Sequence, residues 1–285
     1  MIRRFKKLRS IILAGLVCAG LVIGAAMQAH AALLVMPIWI IFKDRDRTAN
    51  ITLVNTGGKE AVYKIGWRYQ KQTESGAYEI LENSEGTAFD ISKMVLYSPR
   101  QVTLLAGGKQ RIRLSLRRPP DLADGEYRAH LALTRMASSP DAEELARKNL
   151  KSDKIQLSLG TNVGYSLPVI IRQGSYDVAA KVEKFEMVPA EGKSPRRVKV
   201  TLSRTGKHGV FGKLTLYWTP PGGAEQEVGI LNNVNIFPEL TSRYANVPIK
   251  DPGISLSGGS LRIIYEGSGP DKGISLDEKT FPLGG

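Results

Sequence analysis

Apolar and polar residues alternate along most of this chain with a period of two, which is how half-buried β-strands read in sequence. The longest such run is 154–172, KIQLSLGTNVGYSLPVIIR. In it Ile155, Leu157, Leu159, Thr161, Val163, Tyr165, Leu167 and Val169 take every second place. Between them stand Gln156, Ser158, Gly160, Asn162, Gly164, Ser166 and Pro168, all small or polar. A strand of about 15 residues is long, because strands in globular domains usually run roughly 3 to 10. Two readings stand side by side. It is an interior strand that runs long, or an edge strand whose free backbone groups and apolar row recruit another chain by strand addition.

Similar alternation recurs on both sides of that run. Residues 33–42 (LLVMPIWIIF) predict an apolar first strand, with Pro37 confining part of it to an edge or bulge. A charged turn at 43–47 leads to a strand over 48–55, with Ala49, Ile51 and Leu53 on one face, closed by the turn Asn55-Thr56-Gly57-Gly58. Ala61, Tyr63, Ile65, Trp67 and Tyr69 make another alternating strand, and the polar stretch 71–92 reads as a loop or ribbon. Strands follow over 101–105, 110–116 and 126–135, the last with Tyr127, Ala129, Leu131 and Leu133 on one face. Residues 137–153 are the least strand-like, either a short polar helix capped at Ser139-Pro140-Asp141 or a surface loop. Past Gln173-Gly174-Ser175, a hinge by composition, come six short runs at 177–188, 196–203, 209–218, 227–234, 243–249 and 261–266. Short strands punctuated by Gly and Pro, almost without helix, mean sandwiches or barrels. The chain therefore divides near residue 174 into two all-β domains, 32–173 and 174–285.

Residues 1–31 stand outside this pattern. Arg3, Arg4, Lys6, Lys7 and Arg9 form a basic head, 11–26 an apolar run, and Ala29-His30-Ala31 a small-x-small cleavage site. That is a secretory signal peptide, with cleavage expected after Ala31. No later run approaches the roughly 18 apolar residues of a membrane helix, so no stable membrane insertion is expected after cleavage. Cys18, in the leader, is the only cysteine. An exported chain without disulfides fits the bacterial periplasm better than eukaryotic secretion. The formal charge is +13, from 40 basic and 27 acidic residues; without the leader's five basic residues it is 35 against 27, or +8. Arg111, Arg113 and Arg117 alternate along a strand, as a solvated face would show, instead of clustering with aromatics as nucleic-acid proteins do. Nucleic acid is not an expected partner.

The residues for catalysis are missing. His130 and His208 are the histidines beyond the leader, and neither has a metal-ligand partner at suitable spacing. No nucleophile motif or phosphate loop occurs, and Gly267-Ser268-Gly269 is a turn. His130 reads as a surface or cleft residue. No enzyme activity, cofactor or metal is expected. Two arginines stand apart: Arg100, after Ser98-Pro99, and Arg128, in Gly125-Glu126-Tyr127-Arg128-Ala129-His130. A guanidinium can grip a carboxylate with two parallel hydrogen bonds and stays charged in a crevice. The alternative is two surface arginines among many.

The order of these features resembles the periplasmic pilus chaperones of chaperone–usher systems. It is carried by the apolar first strand, the Asn55 turn, Ser98-Pro99-Arg100, the Gly107-Gly108 turn before Gln110-Arg111-Ile112-Arg113, Arg118-Pro119, Asp124-Gly125-Glu126-Tyr127-Arg128, and a long loop before the alternating strand. The likeness covers residues 33–172; beyond it the match is only in general character. It implies two immunoglobulin-like β-sandwich domains joined by a short hinge. It implies that Ile155, Leu157 and Leu159, with Thr161 and Val163, form a donor strand for a pilin subunit that lacks its own last strand, which the protein passes to an outer-membrane usher. A self-capping dimer is a further possibility. Where the best-known branch carries an arginine and a lysine to hold the subunit's terminal carboxylate, this chain has Trp39 and Gly164. The Ser-Pro-Arg and Gly-Glu-Tyr-Arg signatures are similar to the archaic branch, which makes Arg100 and Arg128 the expected anchor. The competing reading is a secreted two-domain adhesin or structural surface protein, with residues 155–169 satisfied inside their own domain.

Overall fold

The computed structural model describes residues 33–136 and 164–284, apart from 44, 193, 252 and 255. Before Gly174 the described strands are β1 (Leu33–Met36), β2 (Ile40–Phe42), β3 (Thr48–Asn55), β4 (Ala61–Arg68), β5 (Gln70–Gln72), β6 (Tyr78–Ile80), β7 (Val95–Ser98), β8 (Gln101–Leu104), β9 (Lys109–Leu116), β10 (Gly125–Met136) and β11 (Gly164–Gln173). After it come β12 (Ala179–Val188), β13 (Arg197–Thr205), β14 (Gly212–Thr219), β15 (Gln226–Leu231), β16 (Ser242–Pro248), β17 (Ser260–Gly267) and β18 (Ser275–Pro282). No α-helix occurs among the described residues.

The alternation dictates the layers. In the first half, sheet β1-β3-β9-β7 faces sheet β2-β11-β10-β4-β8. Ile51, Leu53, Ile112 and Leu114 of one meet Tyr63, Ile65, Leu131 and Leu133 of the other in a single closed core. Each large side chain so buried stabilises the fold by roughly 1.5–3 kcal/mol. In the second half, β12-β13-β16 faces β15-β14-β17-β18 over a separate core around Val198, Val200, Leu214, Leu216 and Ile263. No sheet among the described residues takes strands from both sides of Gly174. Two β-sandwiches in series, of the immunoglobulin-like kind, are the fold.

Local chemistry sets the turns. Asn55 is 1% exposed, and its Nδ2 donates to the carbonyls of Lys59 (2.7 Å), Leu104 (2.9 Å) and Leu105 (3.1 Å) while its Oδ1 accepts from Gly57 N. One buried amide thereby ties the β3–β4 turn to the end of β8.

Three elements differ from the sequence expectation. The apolar run 33–42 is two strands, not one: β1 pairs with β3 in one sheet, whereas β2 runs parallel to β11 in the other. The chain changes sheets at Pro37, which has no N–H to give a ladder. β7 has only four residues, and β18 (SLDEKTFP) is a polar outermost strand. Both are too weakly patterned to be read from periodicity.

Candidate functional site

The site is built from the unequal pairing of β11. β10 covers it from Gly164 to Gln173, but β2 covers it only from Val169 to Ile171. From Gly164 to Pro168 no strand among the described residues lies on its second side. The odd residues point inward: Leu167, Val169 and Ile171 are in the first core, with Tyr165 packed at its margin. Leu167 and Val169 are therefore sealed in their own sandwich, as the interior-strand reading has it for them. Ile155, Leu157, Leu159, Thr161 and Val163 lie outside the described residues, as does the stretch 137–153. β1 is itself an edge strand, of the facing sheet.

The even residues of β10 and β11 face the second sandwich. Ile170 joins Phe211 and Phe237, with Ile41 against them, in a small apolar cluster between the domains. Beside it Arg172 grips Asp271 with two parallel bonds, Nη1–Oδ1 at 2.7 Å and Nη2–Oδ2 at 3.0 Å. Arg172 Nε also donates to Glu126 Oε2 at 3.2 Å, and both Arg172 Nη2 and the Tyr176 hydroxyl donate to Gly209 O. Burial pushes the Glu126 carboxyl above its usual range against the pull of Arg172 and Arg128. His208 closes the hinge, its Nδ1 accepting from Asp177 N and its Nε2 meeting Gln173 O at 3.1 Å.

The β5–β6 ribbon, from the first sandwich, lies across the second. Gln72 Nε2 donates to Asn235 O (3.1 Å), its Oε1 accepts from Phe237 N (3.2 Å), and Tyr244 N donates to Glu74 O (2.8 Å). The polar stretch after Tyr69 is thus a clasp between domains, a role that composition could not reveal.

Of the two arginines singled out by sequence, one is open and one is engaged. Arg100 is exposed, its guanidinium 5.9 Å from the Tyr97 ring. Arg128 is 3% exposed, ion-paired through Nη2 to Glu239, and stacked 3.8 Å over the Phe237 ring. Its Nε and Nη1 are buried without a hydrogen-bond partner, beside a cavity of about 230 Å³ lined by Ala88, Phe89, Glu126, Pro238 and Glu239. The structure does not bring the two arginines together. Ile65 N donates to Arg100 O, which sets Arg100 level with Leu133 on β10. Arg128 is five residues away along that strand, about 17 Å at the usual rise. His130, read as a surface or cleft residue, is not on the surface: it is 2% exposed, with the Tyr78 ring centroid 5.2 Å from its own in an edge-on contact. Burial, then Arg128 and Arg68, lower its pKa to about 3, so the ring is neutral near pH 7. Among the described residues no group of His, Cys, Asp and Glu could hold a metal ion.

No family model matches the chain, and no curated protein does. It is similar to several solved structures. One is a chain of the CsuC–CsuE chaperone–tip subunit pre-assembly complex, from the archaic chaperone–usher Csu pili of Acinetobacter baumannii, at 14% identity over 89% of this chain and 99% of that chain, TM-score 0.42. Another is the CupB2 chaperone of Pseudomonas aeruginosa, at 12% identity over 88% and 99%, TM-score 0.43. A third is a chain of the Salmonella enterica SafA pilin complex with the SafB chaperone, at 11% identity over 88% and 96%, TM-score 0.43. At this distance, what the chain does has to come from its own residues.

Proposed function

We propose that this protein is a non-enzymatic chaperone of pilus assembly. It acts in the periplasm after cleavage at Ala31, with 32–173 as the subunit-holding domain and 174–285 as the second sandwich. It holds pilin subunits by donor-strand complementation and delivers them to an outer-membrane usher. The observation that carries the reading is that no described strand covers the second side of β11 between Gly164 and Pro168, just after the alternating sequence 155–163. Ile155, Leu157 and Leu159, with Thr161 and Val163, are the proposed donor side chains. An unfilled subunit groove exposes contiguous apolar surface, and three large aliphatics at roughly 1.5–3 kcal/mol each would offset the ordering cost of the contact.

Arg100, open to solvent, and Arg128, held by Glu239 through Nη2 but with Nε and Nη1 unpartnered, are the proposed anchors for the subunit's terminal carboxylate. The double substitution Leu157→Ala/Leu159→Ala should abolish recovery of co-expressed subunit from the periplasm while the chaperone's melting temperature stays unchanged. The adhesin reading, which Leu167 and Val169 suit, expects the opposite: a destabilised domain and no partner to lose. Arg100→Glu should lower subunit yield several-fold, and a normal yield would remove Arg100 from the site.

A further inference from the structure

Among the described residues, the outer face of the sheet β1-β3-β9-β7 carries no acidic side chain. Cross-strand register sets Lys109, Arg111 and Arg113 in a row down its middle, all exposed. Leu34 and Met36 flank the row on β1 and Leu96 on β7, at 44, 48 and 50% exposure. The other outward positions are Thr, Asn, Ser or Val. At its far end the face opens into a cleft of about 880 Å³ lined by Arg45, Arg47, Arg117 and Arg118. Arg118 Nη1 donates to Asp46 O at 2.8 Å, while its Nε and Nη2 are buried without partners. The Asp46 carboxylate is turned to the backbone N–H of Lys43.

Some cations elsewhere on the surface are matched by carboxylates. Lys213 pairs with Glu266, Lys199 with Glu186, and Arg262 with both Glu225 and Glu278. Among the described residues, none of the cations of the acid-free face or its cleft forms such an ion pair. No carboxylate among the described residues supplies the matching anion.

We propose that this face docks on an anionic phospholipid surface, with the arginine cleft taking headgroup phosphates. The row from Lys109 to Arg117 spans roughly 26 Å, longer than a single small anion. Guanidinium forks suit phosphate oxygens, and the interspersed aliphatics suit the boundary between headgroups and acyl chains. A protein partner would need carboxylates fixed at strand spacing; a fluid array of headgroups needs no such match. The proposal is independent of whether the chain holds a subunit.

The test is co-sedimentation of the full chain with vesicles of phosphatidylcholine containing phosphatidylglycerol, against phosphatidylcholine alone. The protein and its variants are compared in the same form, so anything contributed by residues 1–32 is common to all. Binding to the anionic vesicles alone, weakened by salt, is expected. Arg111→Glu/Arg113→Glu should lower the partition at least about tenfold, and Leu96→Ser by less, with melting temperatures unchanged because these side chains are exposed. Equal partition on both vesicles, or an undiminished partition of the charge-reversed variant, would overturn the proposal. So would retention on immobilised polyglutamate with none on anionic vesicles, which would give the face to an acidic protein.

Discussion

His130 and Arg172 show how single residues set the limits of the molecule. His130 is held neutral, with a pKa of about 3 against an ordinary 6.5, by burial and by Arg128 and Arg68. As pH falls below 6.5 the unfolded chain takes up this proton and the folded one does not. The stabilisation is complete above pH 6.5 and is lost progressively as pH falls towards 3, by about 2 kcal/mol at pH 5. Glu126, pushed up by burial, acts with the opposite sign, so the useful comparison is between proteins. His130→Phe should lose less stability than the parent between pH 7 and pH 5 in urea titrations; parallel losses would contradict the burial argument. Arg172 satisfies two buried carboxylates at once, so Arg172→Met should cost about 3–5 kcal/mol by stranding Glu126 and Asp271. The arginines picked out by sequence were visible as motifs, but their state was not. The partner that engages Arg128 is Glu239, 111 residues further on, and no local pattern marks it.

At the scale of elements, strands with a strict period of two were legible, and those shaped by tertiary contacts were not. β3, β4, β9 and β10 lie where alternation puts them, because each buries one face in a core. β10 is more than half-buried in a way alternation misses, since its polar face (Glu126, Arg128, His130) is covered by the second sandwich and the ribbon. The ribbon itself was read only as polar. Gly76 at its tip has φ +83°, and a Cβ there would stand 2.0 Å from Arg243 Nη2. Gly76→Val should therefore loosen the clasp, costing about 1–3 kcal/mol in backbone strain and lost contacts. The radius of gyration from small-angle scattering should rise while both cores keep their circular dichroism; an unchanged radius would mean that the ribbon is not what fixes the domains.

For the whole molecule, the two sandwiches are locked together by Arg172, the ribbon and the Ile170 cluster, which leaves one strand to look outward. β11 belongs to its own core, and at its start no described strand lies on its second side. Its alternation is continuous through 154–172, so sequence shows how far the pattern extends, while the point at which its second side is left open is set by the three residues of β2. Amide hydrogen exchange across residues 154–167, with and without a pilin subunit lacking its last strand, tests the central claim most directly. The account predicts fast exchange for 155–163 in the free protein, and strong protection from Ile155 to Leu167 on adding the subunit, with β12–β18 unaltered. Protection of 155–163 already present in the free protein, or none gained with the subunit, would contradict it.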